Sequence, residues 1–116
     1  MIAEHGETSA GLEIRPLATV DDAVVASDVL ARVWGGDRAA MPPQLLRAMA
    51  HAGSYTVGIW REAEMVGASV AFFGAPPERT MHSHITGVLP EHQGRGVGRL
   101  LKQHQREWAL ARDVGT

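Results

Sequence analysis

The chain has no cysteine, so a disulfide, a thiolate nucleophile and a cysteine-held zinc site are all excluded. Aromatic residues are only 5 % of the 116 positions. Tyrosine occurs once, as Tyr55, and nothing around it marks a catalytic acid. There is no excess of basic charge: the formal net charge is −2. That balance leaves no electrostatic footprint for nucleic acid or an anionic membrane, so neither is expected as a partner. Long apolar runs are missing too. The longest, Val66–Ala75, is interrupted by Gly67, Ser69 and Gly74 and is too short to cross a bilayer. The opening Met1-Ile2-Ala3-Glu4-His5-Gly6-Glu7 has neither the basic nor the apolar region of a secretory signal. The expected location is a reducing cytoplasm. Repeats, low-complexity tracts and linkers are absent.

What is present is the composition of one globular domain, 45 % hydrophobic and 21 % charged. Residues 1–10 are small and polar and read as a flexible tail, leaving 11–116 as a single domain. Leu12, Ile14 and Leu17 begin an apolar strand, with Pro16 marking an edge or strand end. Thr19 offers an N-cap with Asp22 three residues on, and Ala23, Ala26, Leu30 and Val33 follow at helical spacing up to Gly35-Gly36. Pro42-Pro43 opens a second helix over Gln44–Ala52, closed by Gly53. Tyr55–Trp60 and Met65–Phe73 read as a hairpin around a polar turn at Glu62–Glu64. Gly74-Ala75-Pro76-Pro77 breaks it, and Thr80–Leu89 is a fourth strand. Val97, Leu100, Leu101, His104, Trp108 and Ala111 then fall on one helical face, with Gly115 as the C′ residue. Trp34, Trp60, Trp108 and the methionines read as core or groove-lining groups.

Between that last strand and helix lies Gln93-Gly94-Arg95-Gly96-Val97-Gly98, followed by Arg99 and Lys102. Glycines at alternate positions allow a sharp turn and let backbone N–H groups approach a ligand. The run leads straight into a helix, whose N-terminus favours phosphate. A P-loop is excluded, because Arg99 and Leu100 stand after Gly98 where Lys and Ser/Thr are needed. A dinucleotide fingerprint is excluded as well, because its third glycine would fall on Arg99.

Gln93, Gly96 and Gly98 occupy the three fixed positions of the Gln/Arg-x-x-Gly-x-Gly/Ala signature of the GNAT acetyltransferases. Gly94 and Arg95 are common fillers there, and Val88-Leu89-Pro90-Glu91 resembles the lead-in of many members. The run Ser83–Arg112 is most similar to a bacterial branch of predicted acetyltransferases. The resemblance covers the third quarter of the chain by motif and the first half by element order. It implies a mixed α/β (α+β) fold, a mostly antiparallel sheet flanked by helices in the order β-α-α-β-β-β-α. It also implies acetyl-CoA as cosubstrate, an amine acceptor, and no metal. The main chain of Gln93, Gly94, Arg95, Gly96, Val97 and Gly98 would grip the pyrophosphate, with Arg95, Arg99 and Lys102 adding charge. Main-chain groups of Thr86, Gly87 and Val88 would bond the pantetheine amides as a pseudo-strand.

His82 and His84 share one side of their strand, and an imidazole can take a proton from an amine at neutral pH. His82 falls near where some members carry a Glu base. The alternative is that both are packed or exposed strand residues. A metal between them would lack a third ligand.

A complete family domain continues past the signature helix with a strand, a helix and usually two more strands, and this sequence carries none of that β-α-β-β part. The expectations are therefore an open edge on the fourth strand and an uncovered apolar patch around Leu101, His104 and Trp108. Both would favour self-association or a second chain. A fragment, a split protein and a homo-oligomer stay open. Two functions stay open with them: an acetyl-CoA-dependent N-acyltransferase, or a non-catalytic partial domain that binds CoA weakly or serves another chain.

Overall fold

The computed structural model describes residues 6–7, 11–35, 41–74, 79–94 and 96–114. Five strands form one sheet: β1 (Gly6–Glu7), β2 (Leu12–Pro16), β3 (Tyr55–Arg61), β4 (Glu64–Phe73) and β5 (Met81–Val88). They are hydrogen-bonded in the order β1-β2-β3-β4-β5, each pair antiparallel. Three helices flank the sheet: α1 (Val20–Trp34), α2 (Pro43–His51) and α3 (Val97–Ala111). Apart from the two-residue β1, this is the expected mixed α/β order β-α-α-β-β-β-α.

Strand alternation sorts the core into two layers. Leu12, Ile14, Tyr55, Val57, Ile59 and Val66 share a cluster with Val97, Leu101, Trp108 and Ala109 of α3. Trp60, Met65, Ala68 and Val70 instead join Ala23, Ala26, Val29 and Leu30 of α1 and Leu46 of α2. Fully burying a Leu or Val side chain contributes about 1.5–3 kcal/mol, so two such layers hold both sets of helices firmly to the sheet.

Local signals act where the sequence places them. Thr19 Oγ1 accepts from the Asp22 N–H at 3.0 Å and Asp22 Oδ2 from the Thr19 N–H at 3.3 Å, a complete capping box. At its other end α1 stops on Gly35, left-handed at φ 69°, whose N–H donates to the Ala31 carbonyl. The hairpin turns through Glu62, also left-handed at φ 57°. On β5 the register slips: Val70 faces Ile85 while Ala71 faces Ser83, so His84 is the extra residue of a β-bulge.

Several expectations need correction. The buried stripe of α3 is Val97, Leu101, His104, Gln105, Trp108 and Ala109, while Ala111 is exposed. Helical rotation carries 105 and 109 toward the sheet and 111 off it. The patch around Leu101, His104 and Trp108 is not uncovered, because all three pack on the sheet. Trp108 meets Tyr55 edge-on at 5.1 Å and stacks on Phe73 at 5.8 Å. His104 Nδ1 lies 2.9 Å from the Tyr55 hydroxyl, and burial pushes that phenol well above its usual range. The left-handed residue after α3 is Asp113 (φ 58°), followed by a 3.0 Å bond from the Val114 N–H to the Ala109 carbonyl. Gly115, read as that C′ residue, lies outside the described residues, as does Gly36. Strand β1 falls within the stretch read as a tail.

Candidate functional site

Strand β5 has β4 on one side and, among the described residues, no strand on the other. The Leu89 N–H donates to the Val66 carbonyl at 2.8 Å, which sets the alternation along the strand end. The main-chain groups of Leu89 and Gly87 therefore turn toward β4, and those of Val88 and Thr86 toward the open edge. At that edge the Val88 carbonyl accepts from Gln93 Nε2 at 2.8 Å. Gln93 thus ties the loop back to the strand it left.

The chain leaves β5 through a short 3₁₀ turn, Pro90–His92, anchored by a 3.2 Å ion pair from Arg32 of α1 to Glu91. A bond from its own main-chain N–H and the nearby Arg32 hold the Glu91 carboxyl below its ordinary range. Gly94 and Gly96 are both left-handed, at φ 79°. Only glycine adopts that conformation without strain, so these two are required by the turn itself. Gly98 is different. It is helical, and a Cβ there would meet only Val88 Cγ2, at 4.0 Å. Glycine in a helix costs about 1 kcal/mol relative to alanine, and no protein atom needs the space that this one leaves.

Helix α3 begins at Gly96 with no side-chain cap and no acidic residue in its first turn. Its first internal bond runs from the Leu100 N–H to the Gly96 carbonyl at 3.0 Å. The N–H groups of Val97, Gly98 and Arg99 precede that bond and point out of the helix start, carrying its partial positive charge.

These parts meet in one cleft of about 460 Å³. One wall is Thr86, Gly87 and Val88 of β5; the floor is Gln93, Gly94, Gly96, Val97, Gly98 and Arg99. Of the residues expected to hold the cofactor, nine therefore converge, and Gly87 contributes space while its amide faces β4. Arg95 lies outside the described residues. Lys102 does not line the cleft; its Nζ donates to Ser83 Oγ at 2.9 Å. Thr86 Oγ1 pairs with Ser69 Oγ at 2.8 Å, so its side chain is engaged across the sheet.

His82 and His84 also stand apart from the cleft, exposed further back along β5. Both lie against Phe72, with ring centroids at 5.7 and 5.8 Å. Two residues apart on the strand, both imidazoles reach the same ring. No group of three metal-ligating side chains occurs among the described residues. The opposite wall of the cleft was less legible: Val33 and Trp34, at the end of α1, complete it. Val33 read only as one apolar position of the helix, and Trp34 as core or groove-lining.

The acetyltransferase (GNAT) family model matches residues 23–116. The chain belongs to the GNAT acetyltransferase family. Solved structures agree in fold. The ribosomal-protein-S18-alanine N-acetyltransferase from Escherichia coli superposes with a TM-score of 0.73 at 16 % identity, over 89 % of this chain and 62 % of that one. A GNAT acetyltransferase from Brucella melitensis, solved with acetyl-CoA, gives 0.70 at 16 % identity, over 90 % of this chain and 72 % of that one. The PaiA N-acetyltransferase from Thermoplasma acidophilum, solved with coenzyme A, gives 0.73 at 12 % identity, over 89 % and 74 %. This chain thus spans about 62 % of the length of the Escherichia coli enzyme. A search among curated proteins found no match. No helix among the described residues is long and apolar enough to cross a membrane.

Proposed function

We propose that this chain binds acetyl-CoA in the glycine cleft and directs its acetyl group to an amine acceptor. The observation that carries the proposal is the convergence of an uncapped α3 start, two left-handed glycines and the open edge of β5 on one cleft. The residues fit the cosubstrate's parts. Main-chain N–H groups of Val97, Gly98 and Arg99 suit a pyrophosphate, and the missing Cβ at Gly98 leaves it room. The Thr86 N–H and C=O and the Val88 N–H suit the pantetheine amides, as an added strand would. Arg99 in the lining, with Arg95 of the same turn, would supply positive charge.

The chemistry is acyl transfer from a thioester to nitrogen by direct attack. The chain's part is to orient both reactants and to donate main-chain N–H groups to the carbonyl oxygen as charge develops on it. His82 or His84, exposed beside Phe72, or a water, would take the proton lost by the amine. The expected location of this reaction is the cytoplasm. A second reading rests on the open edge of β5: a non-catalytic partial domain that keeps the cradle and serves a second chain or a second copy.

Release of free thiol from acetyl-CoA in the presence of an amine panel separates the two readings. The chain has no cysteine, so a thiol reagent sees only released CoA. Turnover supports the enzyme; CoA binding with no thiol release under any condition supports the partial domain.

A further inference from the structure

We infer that Trp34 is the aromatic platform for the pantetheine arm of bound CoA, an inference that rests on the cosubstrate reading above. Trp34 is the last residue of α1, which Gly35 ends immediately after it. It is 61 % exposed, whereas the other two tryptophans, Trp60 and Trp108, are 5 % and 6 % exposed. The indole is not stranded on a random surface, since it lines the same cleft as the glycine turn.

Its position follows from a close approach one residue earlier. A Cβ at Gly87 would lie 3.1 Å from three atoms of Val33, so the end of α1 sits directly over the backbone of β5. That contact sets Trp34 beside the stretch where Thr86 and Val88 turn their main-chain groups outward. The other apolar side chains of the lining, Val33, Val88 and Val97, are smaller than the indole. Gly87, Gly94, Gly96 and Gly98 contribute none, and the Gln93 amide is held by the Val88 carbonyl. Trp34 is thus the largest apolar side chain among the described residues that line this cleft.

The two ends of CoA make different demands. Its phosphates seek the N–H groups of α3, and its pantetheine arm carries methyl and methylene groups before, between and after its two amides. An indole face beside a row of strand amides suits that alternation: apolar contact from Trp34, hydrogen bonds from β5. The adenine is attached on the far side of the pyrophosphate from this arm.

The test uses the whole chain with three probes: CoA, 4′-phosphopantetheine and adenosine 3′,5′-bisphosphate. Trp34→Ala should weaken CoA and 4′-phosphopantetheine by about tenfold and leave the bisphosphate unchanged. In the parent, CoA should shift tryptophan emission, and Trp34→Phe should abolish that shift, because the other two indoles are buried. Unchanged CoA affinity in Trp34→Ala with no emission change would overturn the inference and leave the cosubstrate reading standing. A loss confined to the bisphosphate would overturn it in favour of adenine stacking. If the parent binds no CoA, the cosubstrate reading fails and this inference falls with it.

Discussion

Aspartate at position 96 sets two electrostatic effects against each other at one point. Gly96 is the N-cap of α3 at φ 79°, ψ 7°, and a Cβ there meets no atom within 4 Å. Sterically the new side chain is accommodated; conformationally it costs about 1–2 kcal/mol, with Asp among the residues that enter this region most readily. Its negative charge at the uncapped helix start returns about 0.3–1 kcal/mol through the helix dipole. The apoprotein should therefore lose between about zero and 1.7 kcal/mol, a melting shift of about 8 °C or less. Binding moves the other way. A carboxylate about 4 Å from a phosphate oxygen, at an effective dielectric of about 20, is repelled by about 4 kcal/mol. That is a loss of about a thousandfold in CoA affinity. Gly96→Ala separates the terms, since it keeps the strain and adds no charge: it should melt lower than the parent yet still bind CoA. Calorimetric titration and a thermal melt on one sample read both quantities. If Gly96→Asp melts normally and binds CoA within threefold of the parent, the phosphate is not at the start of α3.

Neutralising Arg95 and Arg99 together should weaken CoA binding and flatten its salt dependence; an unchanged salt slope would make them solvated surface charges. Replacing His82 and His84 singly by Ala should lower turnover by about a hundredfold or more at whichever is the base, with CoA affinity unaltered. Equal, small losses at both would leave the proton to water. The open edge of β5 should draw a second copy or a second chain. Light scattering on a dilute sample should show mass above that of a monomer, and a strictly monomeric, fully active chain would contradict this.

Much of this architecture was legible because local chemistry decided it. Thr19 and Asp22 form their capping box from four residues of sequence, and Gly35 ends α1 for a reason visible in its own φ. The glycine turn was readable in the same way, but which two of its three glycines need a left-handed backbone, Gly94 and Gly96, was not. Tertiary facts were not. The spacing of α3 could not show that Gln105 and Ala109 turn inward while Ala111 turns out, because several adjacent positions fit one helical face. Nor could it show that Leu101, His104 and Trp108 are buried. Val33 and Trp34 join the cleft only because α1 crosses β5 at Gly87, a contact between residues far apart in sequence. The bulge at His84 depends on register with β4, which no single strand encodes.

In the proposed complex CoA lies across the start of α3 and along the open edge of β5. Following backbone amide resonances during a CoA titration tests it most directly. The amides of Gly96, Val97, Gly98 and Arg99 should move together with those of Thr86 and Val88, on one binding curve, while Gly87, bonded toward β4, moves less. Saturable CoA binding that leaves the amides of Gly96, Val97, Gly98 and Arg99 unmoved, or no binding at all, would place CoA elsewhere or nowhere on this chain.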